Sequence, residues 1–417
     1  MKRVLSLVLV LAMLLGLSAA ASAAELSGTI TYSTWGSETE KQINEAIIAA
    51  FMEENPGCTV NLEYIPSSYT EKIDTLFIGG AAPDVIYGHP HYFVSWADND
   101  LLMNLDEMFE EEHDYFFDEK FATNMYDMFK YDGHHIATIN GHDTFLLFYN
   151  KNLFDAAGVA YPTDEWTWTD FMNASEKLSK EDENSKQYAI SFNEIQPIIF
   201  SFGGDYFDDM NNPTKVTYES EETIAALKFV QDAINVGVAP ATTDAEQLGG
   251  SFATGKVAMA ISGAWDIANY SNIEAFNWDV AQVPIREGYP RRTAAFVAGY
   301  AINASTQNPE LAKAFAKYFQ SDRAQSLLCT SGLITVINNE ISGSDEALKG
   351  ENAPEHAYLR VETIKYATNG YASLPNYLEM FNEVIKPAYQ RLVSLGTTPE
   401  QCAADIQNQL EKLMLEN

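Results

Sequence analysis

Strand-like and helix-like segments alternate along the first part of the chain, and this alternation restricts it to a wound α/β fold. Ile30, Tyr32 and Thr34 would share one face of a strand, and apolar side chains then recur at helical spacing over 43–51. A β-α-β-α-β series of this kind predicts a parallel sheet with helices packed against it. The remaining members of the series are a strand at 60–64, a helix at 69–78 and a strand at 84–87.

A second series of the same type follows the turn at Asp132-Gly133 and opens with a buried strand at 145–149. The mature chain of nearly 400 residues exceeds one ordinary hydrophobic core, so we expect two domains. No Pro/Ser-rich linker separates them, which favours a chain that crosses between the domains more than once. The further predicted elements are helices near 169–180 and 220–236, strands at 257–261, 278–283 and 296–302, a helix at 309–319 and a helical tail from about 355.

The N-terminus has the pattern of a secretory signal peptide. Two basic residues precede an apolar run over 4–17, and an A-x-A cleavage signal ends at Ala23. We expect cleavage near Ala23 or Ala24 and secretion across the cytoplasmic membrane, to the periplasm or the cell surface. The alternative is a buried N-terminal helix. The leader contains no cysteine for lipid attachment, and no later apolar stretch reaches membrane-spanning length.

The chain is strongly acidic. Without the two basic residues of the leader, 23 of the 25 Lys and Arg residues stand against 59 Asp and Glu, a net charge near −36. This charge disfavours nucleic acids and anionic lipid surfaces as partners, and we interpret it as solubility outside the cell rather than as a site for a specific cation. The three cysteines, Cys58, Cys329 and Cys402, are too scattered to indicate a disulfide framework or a structural zinc site.

The loops that follow the strands are candidate binding loops, because ligands of open α/β sheets bind beyond the carboxyl ends of the strands. The first such loop carries Trp35 as an aromatic surface and Glu38 as an acceptor. Ser37 and Glu40 beside them have capping-box spacing, which would point a helix N-terminus at the cleft. The alternative for Trp35 is a tryptophan of the core.

The loop after the third strand, residues 88–92, is polar and aromatic and contains glycine. We interpret it as a ligand-contact loop through His91 and Tyr92. A metal site is the alternative, but the histidine spacing matches no zinc pattern and neither carboxylates nor thiolates cluster with it, so no metal is expected. The histidines of such a metal site would be His89, His91, His134, His135 and His142.

The loop after the strand at 257–261 carries Trp265 and Asp266 on a glycine-containing turn. The indole offers a surface for the CH face of a pyranose ring, and the carboxylate can accept hydrogen bonds from ring hydroxyls. Because sugars are polar at the rim and apolar on one face, this pair favours a carbohydrate ligand. The alternative is that Trp265 packs in the core.

Four motif-like segments occur in order over most of the mature chain: G-G-A-A-P-D-V-I at 79–86, F-Y-N-K-N-L-F at 148–154, F-A-T-G-K-V-A-M at 252–259 with S-G-A-W at 262–265, and A-G-Y-A-I-N at 298–303 with N-P-E-L-A at 308–312. These segments resemble the signatures of family 1 extracellular solute-binding proteins, the maltose-binding-type sugar receptors of ABC importers. The order of all four makes the resemblance specific.

This resemblance implies the α/β, two-lobed periplasmic-binding-protein type II fold, in which each lobe is a wound sheet flanked by helices and the lobes close over a solute in the cleft. The implied partners are a sugar or oligosaccharide and the transmembrane permease subunits of an ABC transporter, for a receptor that is a monomer. After the signal peptide at 1–24, the implied lobes are residues 25–140 with 297–344 and residues 141–296 with 345–417.

The resemblance also assigns ligand contacts by position in the motifs. The chain departs from the family before the Y-N-K segment, where a Y-G-[IL]-P stretch is common and this chain has I-A-T-I-N-G-H-D at 136–143, so no proline shapes that crossover. The contacts that the resemblance assigns are Trp35, Glu38, His91, Tyr92, Asp143, Trp265, Gly299 and Tyr300. Asp266 is added as a ninth predicted ligand-binding residue, because its carboxylate can accept hydrogen bonds from sugar hydroxyls.

Two other functions remain open. A secreted glycosidase would also use carboxylates and aromatic side chains, with an acid and a nucleophile on either side of the bond. However, the chain has no G-x-S-x-G, phosphate-loop, G-x-G-x-x-G or H-E-x-x-H motif, so we expect no enzyme, no catalytic residue and no cofactor. The second alternative is the same fold with another polar solute, of which a polyamine best fits the acidity of the chain.

Overall fold

A computed structural model of the protein describes residues 26–181, 186–242, 251–349 and 353–415. The predicted signal peptide at 1–24 and its cleavage site lie outside the described residues. The strands in the described part are β1 (Gly28–Thr34), β2 (Cys58–Tyr64), β3 (Val85–Gly88), β4 (Lys130–Tyr131), β5 (His134–His135), β6 (Thr138–Asn150), β7 (Lys180–Glu181), β8 (Lys186–Ser191), β9 (Val257–Gly263), β10 (Trp278–Ala281), β11 (Thr293–Ile302), β12 (Thr335–Val336) and β13 (Ala367–Asn369).

The helices predicted at 69–78, 220–236 and 309–319 are confirmed to within a residue or so of their ends. The α-helices in the described part are α1 (Glu38–Glu54), α2 (Tyr69–Ile78), α3 (Pro90–Asp98), α4 (Asp106–Glu111), α5 (His113–Phe116), α6 (Lys151–Ala157), α7 (Trp168–Leu178), α8 (Gln196–Ser201), α9 (Glu221–Asn235), α10 (Asp266–Tyr270), α11 (Pro309–Tyr318), α12 (Asp322–Cys329), α13 (Asn339–Ser342), α14 (Asp345–Leu348), α15 (Leu359–Glu362), α16 (Tyr377–Glu379), α17 (Lys386–Val393) and α18 (Pro399–Leu415). Short 3₁₀ turns lie at Thr123–Phe129, Ser251–Thr254 and Thr363–Tyr366, and a π-helical turn at Met380–Ile385.

The first three strands form the predicted parallel unit. β1 lies between β2 and β3 and is parallel to both. Ile30 and Tyr32 of β1 are buried, and Ile47 and Phe51 of α1 are buried too, so the alternating strand and the periodic helix bury the faces that the sequence pattern predicts.

Two long strands, β6 and β11, cross from one half of the molecule to the other. Residues 138–144 of β6 pair with β11 and β12, whereas residues 145–149 pair with β9 and residues 147–150 with β10. β11 is antiparallel to both β6 and β3. A bulge separates Ala298 from Gly299, where a Cβ atom would lie 1.9 Å from the carbonyl oxygen of Thr138, so the two strands approach closely there only because residue 299 is glycine.

The buried apolar side chains form two main cores, which define two lobes. The core of the first lobe draws on residues 30–139 and 295–337, and that of the second lobe on residues 145–294 and 372–410. In the second lobe, Phe145 and Leu147 of β6 enter the main core while Leu146 and Phe148 enter a smaller cluster on the opposite face of the sheet. Strands buried on both faces give continuous apolar runs of this kind.

The structure differs from the sequence expectation in two places. The strand predicted at 145–149 begins at Thr138, because polar residues at 138–144 are buried with partners supplied by distant segments. The tail predicted to be helical from about 355 includes β13, which pairs with the start of β11.

The three cysteines are free thiols. Each helix in the described part of the chain is too short or too polar to span a bilayer.

Candidate ligand-binding site

A cavity of about 380 Å³ lies between the two lobes, above the crossing strands β6 and β11. Its volume falls within the range of roughly 300–1,000 Å³ that is usual for small-molecule sites. It is lined by Thr34, Trp35, Glu40, Ile43, Asn44, Tyr87, His89, Asn140, His142, Asp143, Trp265, Phe296, Val297, Ala298, Tyr300, Leu328, Ser331, Leu333, Ile334 and Tyr371.

Trp35 forms an aromatic wall of the cavity on the side of the first lobe. It follows β1 directly, and its ring centroid lies 4.5 Å from that of Tyr87 and 4.7 Å from that of Tyr69. Tyr69 is fixed in turn, because its hydroxyl donates to the backbone oxygen of Tyr87 at 2.9 Å. Trp35 is only partly buried, so one part of the indole packs on the lobe while another lines the cavity.

The loop after β1 brings Glu40, rather than Glu38, to the cavity. The capping box predicted from the sequence is present: the Glu40 carboxylate accepts from the backbone N–H of Ser37 at 2.6 Å, and the Glu40 N–H donates to the Ser37 hydroxyl. Glu38 is exposed and lies 3.4 Å from Lys41 on the outer surface of α1. The cap rotates the first turn of the helix so that the third residue after Ser37 faces inward.

The loop after β3 brings His89 to the cavity and turns His91 and Tyr92 away from it. Pro90 starts α3, so the two predicted contacts belong to a helix whose first turn packs beneath the loop. His91 is buried, with its ring centroid 4.0 Å from that of Tyr92. The Nδ1 atom of His89 lies 2.9 Å from the backbone oxygen of Val297, and burial lowers the pKa of His89, which favours a neutral ring.

Trp265 forms the opposite wall, on the side of the second lobe. Its ring lies edge-on to Phe145 and Phe296, with centroids 6.1 Å and 5.9 Å away. The indole lies across Gly263, at which a Cβ atom would stand 2.2 Å from the ring. Asp266 does not line the cavity, because its carboxylate is held within its own turn, where it accepts from Ser262 Oγ at 2.5 Å and from an amide at Asn269.

Asp143 lies in the floor of the cavity, on β6. Its Oδ1 accepts from the hydroxyl of Thr335 at 3.1 Å, and a guanidinium nitrogen of Arg360 lies 3.7 Å from the same oxygen. Burial raises the pKa of Asp143 to about 7, although Arg360 and Thr335 act in the opposite direction. The carboxyl group therefore changes charge near neutral pH.

Asn140 and His142 precede Asp143 on the same strand, and each has a polar atom without a hydrogen-bond partner among the described residues. These atoms are Oδ1 of Asn140 and Nδ1 of His142, and both are buried. Burial lowers the pKa of His142 to about 3, so its ring is neutral at physiological pH. Buried polar atoms without a hydrogen-bond partner are costly.

Tyr300 lines the cavity from β11, and its neighbour Gly299 does not. The hydroxyl of Tyr300 accepts from Asn140 Nδ2 at 3.0 Å, and its ring stacks on Phe319 with centroids 3.6 Å apart. Gly299 contributes the close approach of β11 to β6 beneath the cavity. Of the nine predicted ligand-binding residues, the structure thus brings Trp35, Asp143, Trp265 and Tyr300 together around the cavity and leaves Glu38, His91, Tyr92, Asp266 and Gly299 outside its lining.

The polar or aromatic lining residues that were not predicted include Tyr87, His89, Asn140, His142 and Tyr371. His89, Asn140 and His142 had a detectable signal, since polar residues stood within or next to apolar strands in the sequence. Tyr87 and Tyr371 had no such signal, because aromatic side chains at strand ends are commonly core residues.

The lining residues combine aromatic faces with hydrogen-bond acceptors. Among the described residues that line the cavity, the acidic members are Glu40 and Asp143, and none is a lysine or an arginine. This arrangement can bind a neutral polar molecule with an apolar face, or a cation, and it disfavours an anion.

The five histidines considered as a metal site are not gathered in one place, although the rings of His89 and His91 stack with centroids 5.7 Å apart. His134 and His135 both contact Asp106 of the first lobe, at 2.6 and 3.2 Å, whereas His142 lies in the cavity floor. Among the described residues, metal-ligand spacing occurs in Asp279, Glu355 and His356, away from the cavity. There the buried Asp279 carboxylate already accepts hydrogen bonds from the backbone and side chain of His356.

Known proteins resemble this chain over most of its length. It is 25% identical over 344 residues to the maltotriose-binding protein of Pyrococcus abyssi, which covers 78% of this chain and 71% of the relative. It is 24% identical over 329 residues to the galactooligosaccharide-binding protein of Bacillus subtilis, with 74% of each chain covered. These relatives are binding proteins rather than enzymes.

The fold is shared with solved two-lobed receptors. An ABC substrate-binding protein of Listeria monocytogenes in complex with cycloalternan superposes with a TM-score of 0.79 at 24% identity, over 93% of this chain and 99% of the other. This similarity confirms the predicted two-lobed α/β fold. The family model described as bacterial extracellular solute-binding protein matches residues 35–326, well over half of the chain. The chain therefore belongs to the bacterial extracellular solute-binding proteins, the family that its sequence motifs resemble.

Proposed function

We propose that this protein is the exported substrate-binding component of an ABC transporter, which captures a sugar or oligosaccharide between its lobes and delivers it to a membrane permease. The observation that carries the proposal is the inter-lobe cavity, where Trp35 of the first lobe and Trp265 of the second share one space with the Asp143 carboxylate. Indole faces suit the apolar side of a pyranose, and carboxylate oxygens suit its hydroxyls.

The polar side chains in the floor support a ligand with many hydroxyl groups. Asn140, His142 and Asp143 all line the cavity from β6. A sugar hydroxyl can both donate and accept a hydrogen bond, so a sugar suits a floor that presents an amide, an imidazole and a carboxyl group. The names of the relatives, which bind maltotriose and galactooligosaccharides, support the same class of ligand.

Closure of the lobes is the proposed capture mechanism. Trp35 and Trp265 belong to different lobes, so a ligand held by both gains contacts in a closed state that an open state lacks. The lobes of the proposal are residues 25–140 with 297–344 and residues 141–296 with 345–417, in a mature monomer released by cleavage near Ala23 or Ala24. The proposed role requires no catalytic residue.

A ligand screen by thermal shift tests the proposal, because a ligand that binds the folded state raises its melting temperature. Glucose, maltose, maltotriose, a galactooligosaccharide and an arabinooligosaccharide form the sugar arm, and spermidine forms the cation arm. We expect at least one sugar to stabilise the protein, with a Kd on the order of micromolar by calorimetry. Stabilisation by spermidine with no response to any sugar would reject the sugar assignment, and release of hydrolysis products would reject the receptor assignment.

A further inference from the structure

Arg360 is a buried arginine outside the cavity lining. It belongs to α15, on the segment that returns to the second lobe, and its side chain is 8% exposed. Its Nε donates to the hydroxyl of Thr335 at 2.9 Å and its Nη1 to the backbone oxygen of Gly332 at 3.1 Å. Burying a guanidinium is costly unless it is paired, so a specific partner is expected nearby.

That partner is the cavity carboxylate. The Nη2 atom of Arg360 lies 3.7 Å from Oδ1 of Asp143, and it makes no hydrogen bond to any described residue. Thr335 lies between the two side chains, since its hydroxyl accepts from Arg360 and donates to Asp143. The positive charge of Arg360 and its hydrogen bond through Thr335 thus both act on the carboxylate of Asp143 in the cavity floor.

We propose that Arg360 is a positioning residue for ligand recognition, which holds Asp143 in place through Thr335 and keeps it an anionic acceptor for ligand hydroxyls. The inference rests on the proposed function. Arg360 acts through Asp143 and does not itself line the cavity. Arg360 lies on α15, and its partner Thr335 lies on β12, which pairs with β6. The side chain of Arg360 therefore connects the segment that returns to the second lobe with these two strands.

The other titratable groups around Asp143 cannot replace Arg360. His142, adjacent on β6, is kept neutral by burial, which lowers its pKa to about 3. Asp266 carries a negative charge that raises the pKa of Asp143. Burial also raises the pKa of Tyr87, so that hydroxyl is neutral and offers no positive charge. Arg360 is therefore the cation that offsets the desolvation of Asp143 among the described groups that act on it.

The test is calorimetry of sugar binding from about pH 5.5 to about pH 9, with the sugar that most stabilises the wild type in the screen above. Wild-type affinity should rise as the pH passes through about 7 and Asp143 ionises. In Arg360→Met the midpoint of that rise should move up by at least about one pH unit, so that affinity at neutral pH falls about tenfold and recovers in alkali. Arg360→Lys, which keeps the charge, should restore part of the shift.

Arg292→Met is the matched control. Arg292 also pairs with an aspartate, Asp205, at 2.8 Å and is 25% exposed, but neither side chain lines the cavity. Its variant should keep the wild-type pH midpoint. An Arg360→Met protein with the wild-type midpoint, or with an equal loss of affinity at every pH, would overturn the inference while leaving the proposed function intact.

A second variant keeps the inference testable if Arg360→Met does not fold. Thr335→Val removes the hydroxyl between Arg360 and Asp143 and leaves both charges. We expect a smaller upward shift of the midpoint, together with weaker binding in alkali, because the carboxylate loses its orientation. An unchanged profile for Thr335→Val would refute the positioning role. Failure of every sugar to bind the wild type would instead refute the proposed function.

Discussion

The rings of His91 and Tyr371 lie with their centroids 4.1 Å apart, and this contact joins the two lobes beside the cavity. His91 lies in α3 of the first lobe, whereas Tyr371 follows β13 and packs on the core of the second. Tyr371 also meets Phe296 of the crossing strand at 4.9 Å. The aromatic contact therefore spans the gap between the lobes, and the width of this gap must change when the lobes open or close.

Truncation of Tyr371 should favour separation of the lobes. In Tyr371→Ala the ring that reaches His91 is lost, so we expect a larger radius of gyration by small-angle scattering without ligand, and weaker sugar binding. Tyr371→Phe keeps the ring and should match the wild type in both measurements. Equal scattering curves for the alanine variant and the wild type would mean that the contact does not hold the lobes together.

Acid should destabilise the folded protein through its buried histidines. Burial lowers the pKa of His89, His91 and His142, in the last case to about 3, whereas an unfolded histidine titrates near 6.5. Below about pH 6.5 the unfolded chain binds protons that the folded chain does not, so each such histidine makes the free energy of unfolding fall with acid. For His142 the slope approaches about 1.4 kcal/mol per pH unit between about pH 6 and pH 3. Asp143 acts with the opposite sign, because its raised pKa makes the folded state the proton binder between about pH 4 and 7.

The histidine effect is measured by comparing His142→Gln with the wild type. Urea unfolding at about pH 6.5 and about pH 5 should give a loss of stability that is smaller in the variant by about 2 kcal/mol. His113→Gln serves as the control, since the side chain of His113 is 68% exposed and should leave the loss unchanged. A variant that loses as much stability as the wild type would contradict a neutral, buried His142.

The stacking wall of the second lobe should dominate affinity. Replacing Trp265 by Ala removes an aromatic face from the cavity, and we expect binding to weaken by about 1–3 kcal/mol, roughly 5- to 150-fold. Trp166→Ala is the control, because Trp166 is also partly buried against the second core but does not line the cavity. Both variants should keep a cooperative thermal transition. Unchanged calorimetry for Trp265→Ala would remove Trp265 from the binding surface.

The local parts of the fold were predictable because their signals are local. The helix Tyr69–Ile78 and the parallel strands β1 to β3 have the periodicity of elements buried on one side, and the structure confirms them. The first half of β6 gave no such signal. Its polar residues are buried on partners far away in the sequence: Asn140 bonds Tyr300, 160 residues later, and Asp143 bonds Thr335, 192 residues later.

Dependence on distant parts of the chain also limited the prediction of the site residues. The loops predicted to bind the ligand each contribute a residue to the cavity lining, but which residue of a loop faces inward depends on the orientation of the helix that follows it. The capping box turns Glu40 inward and Glu38 outward, and Pro90 at the start of α3 leaves His89 at the cavity with His91 behind it. Tyr371 and Arg360 reach the site from the C-terminal segment, and a motif near the strands gives no information about them.

Gly263 should be required for the position of Trp265. A Cβ atom at residue 263 would lie 2.2 Å from the indole, so Gly263→Ala must displace the ring that forms the second wall. The backbone of Gly263 lies in β9, opposite Phe145 of β6, and is not in the left-handed region, which means that alanine is tolerated by the main chain itself. We expect a loss of sugar affinity close to that of Trp265→Ala, with a loss of unfolding free energy of about 1–3 kcal/mol from overpacking. Gly79→Ala is the control, because the nearest atom to its Cβ is 3.4 Å away, and it should bind like the wild type. Wild-type affinity in Gly263→Ala, despite the displaced indole, would show that the ligand does not use the ring in this position.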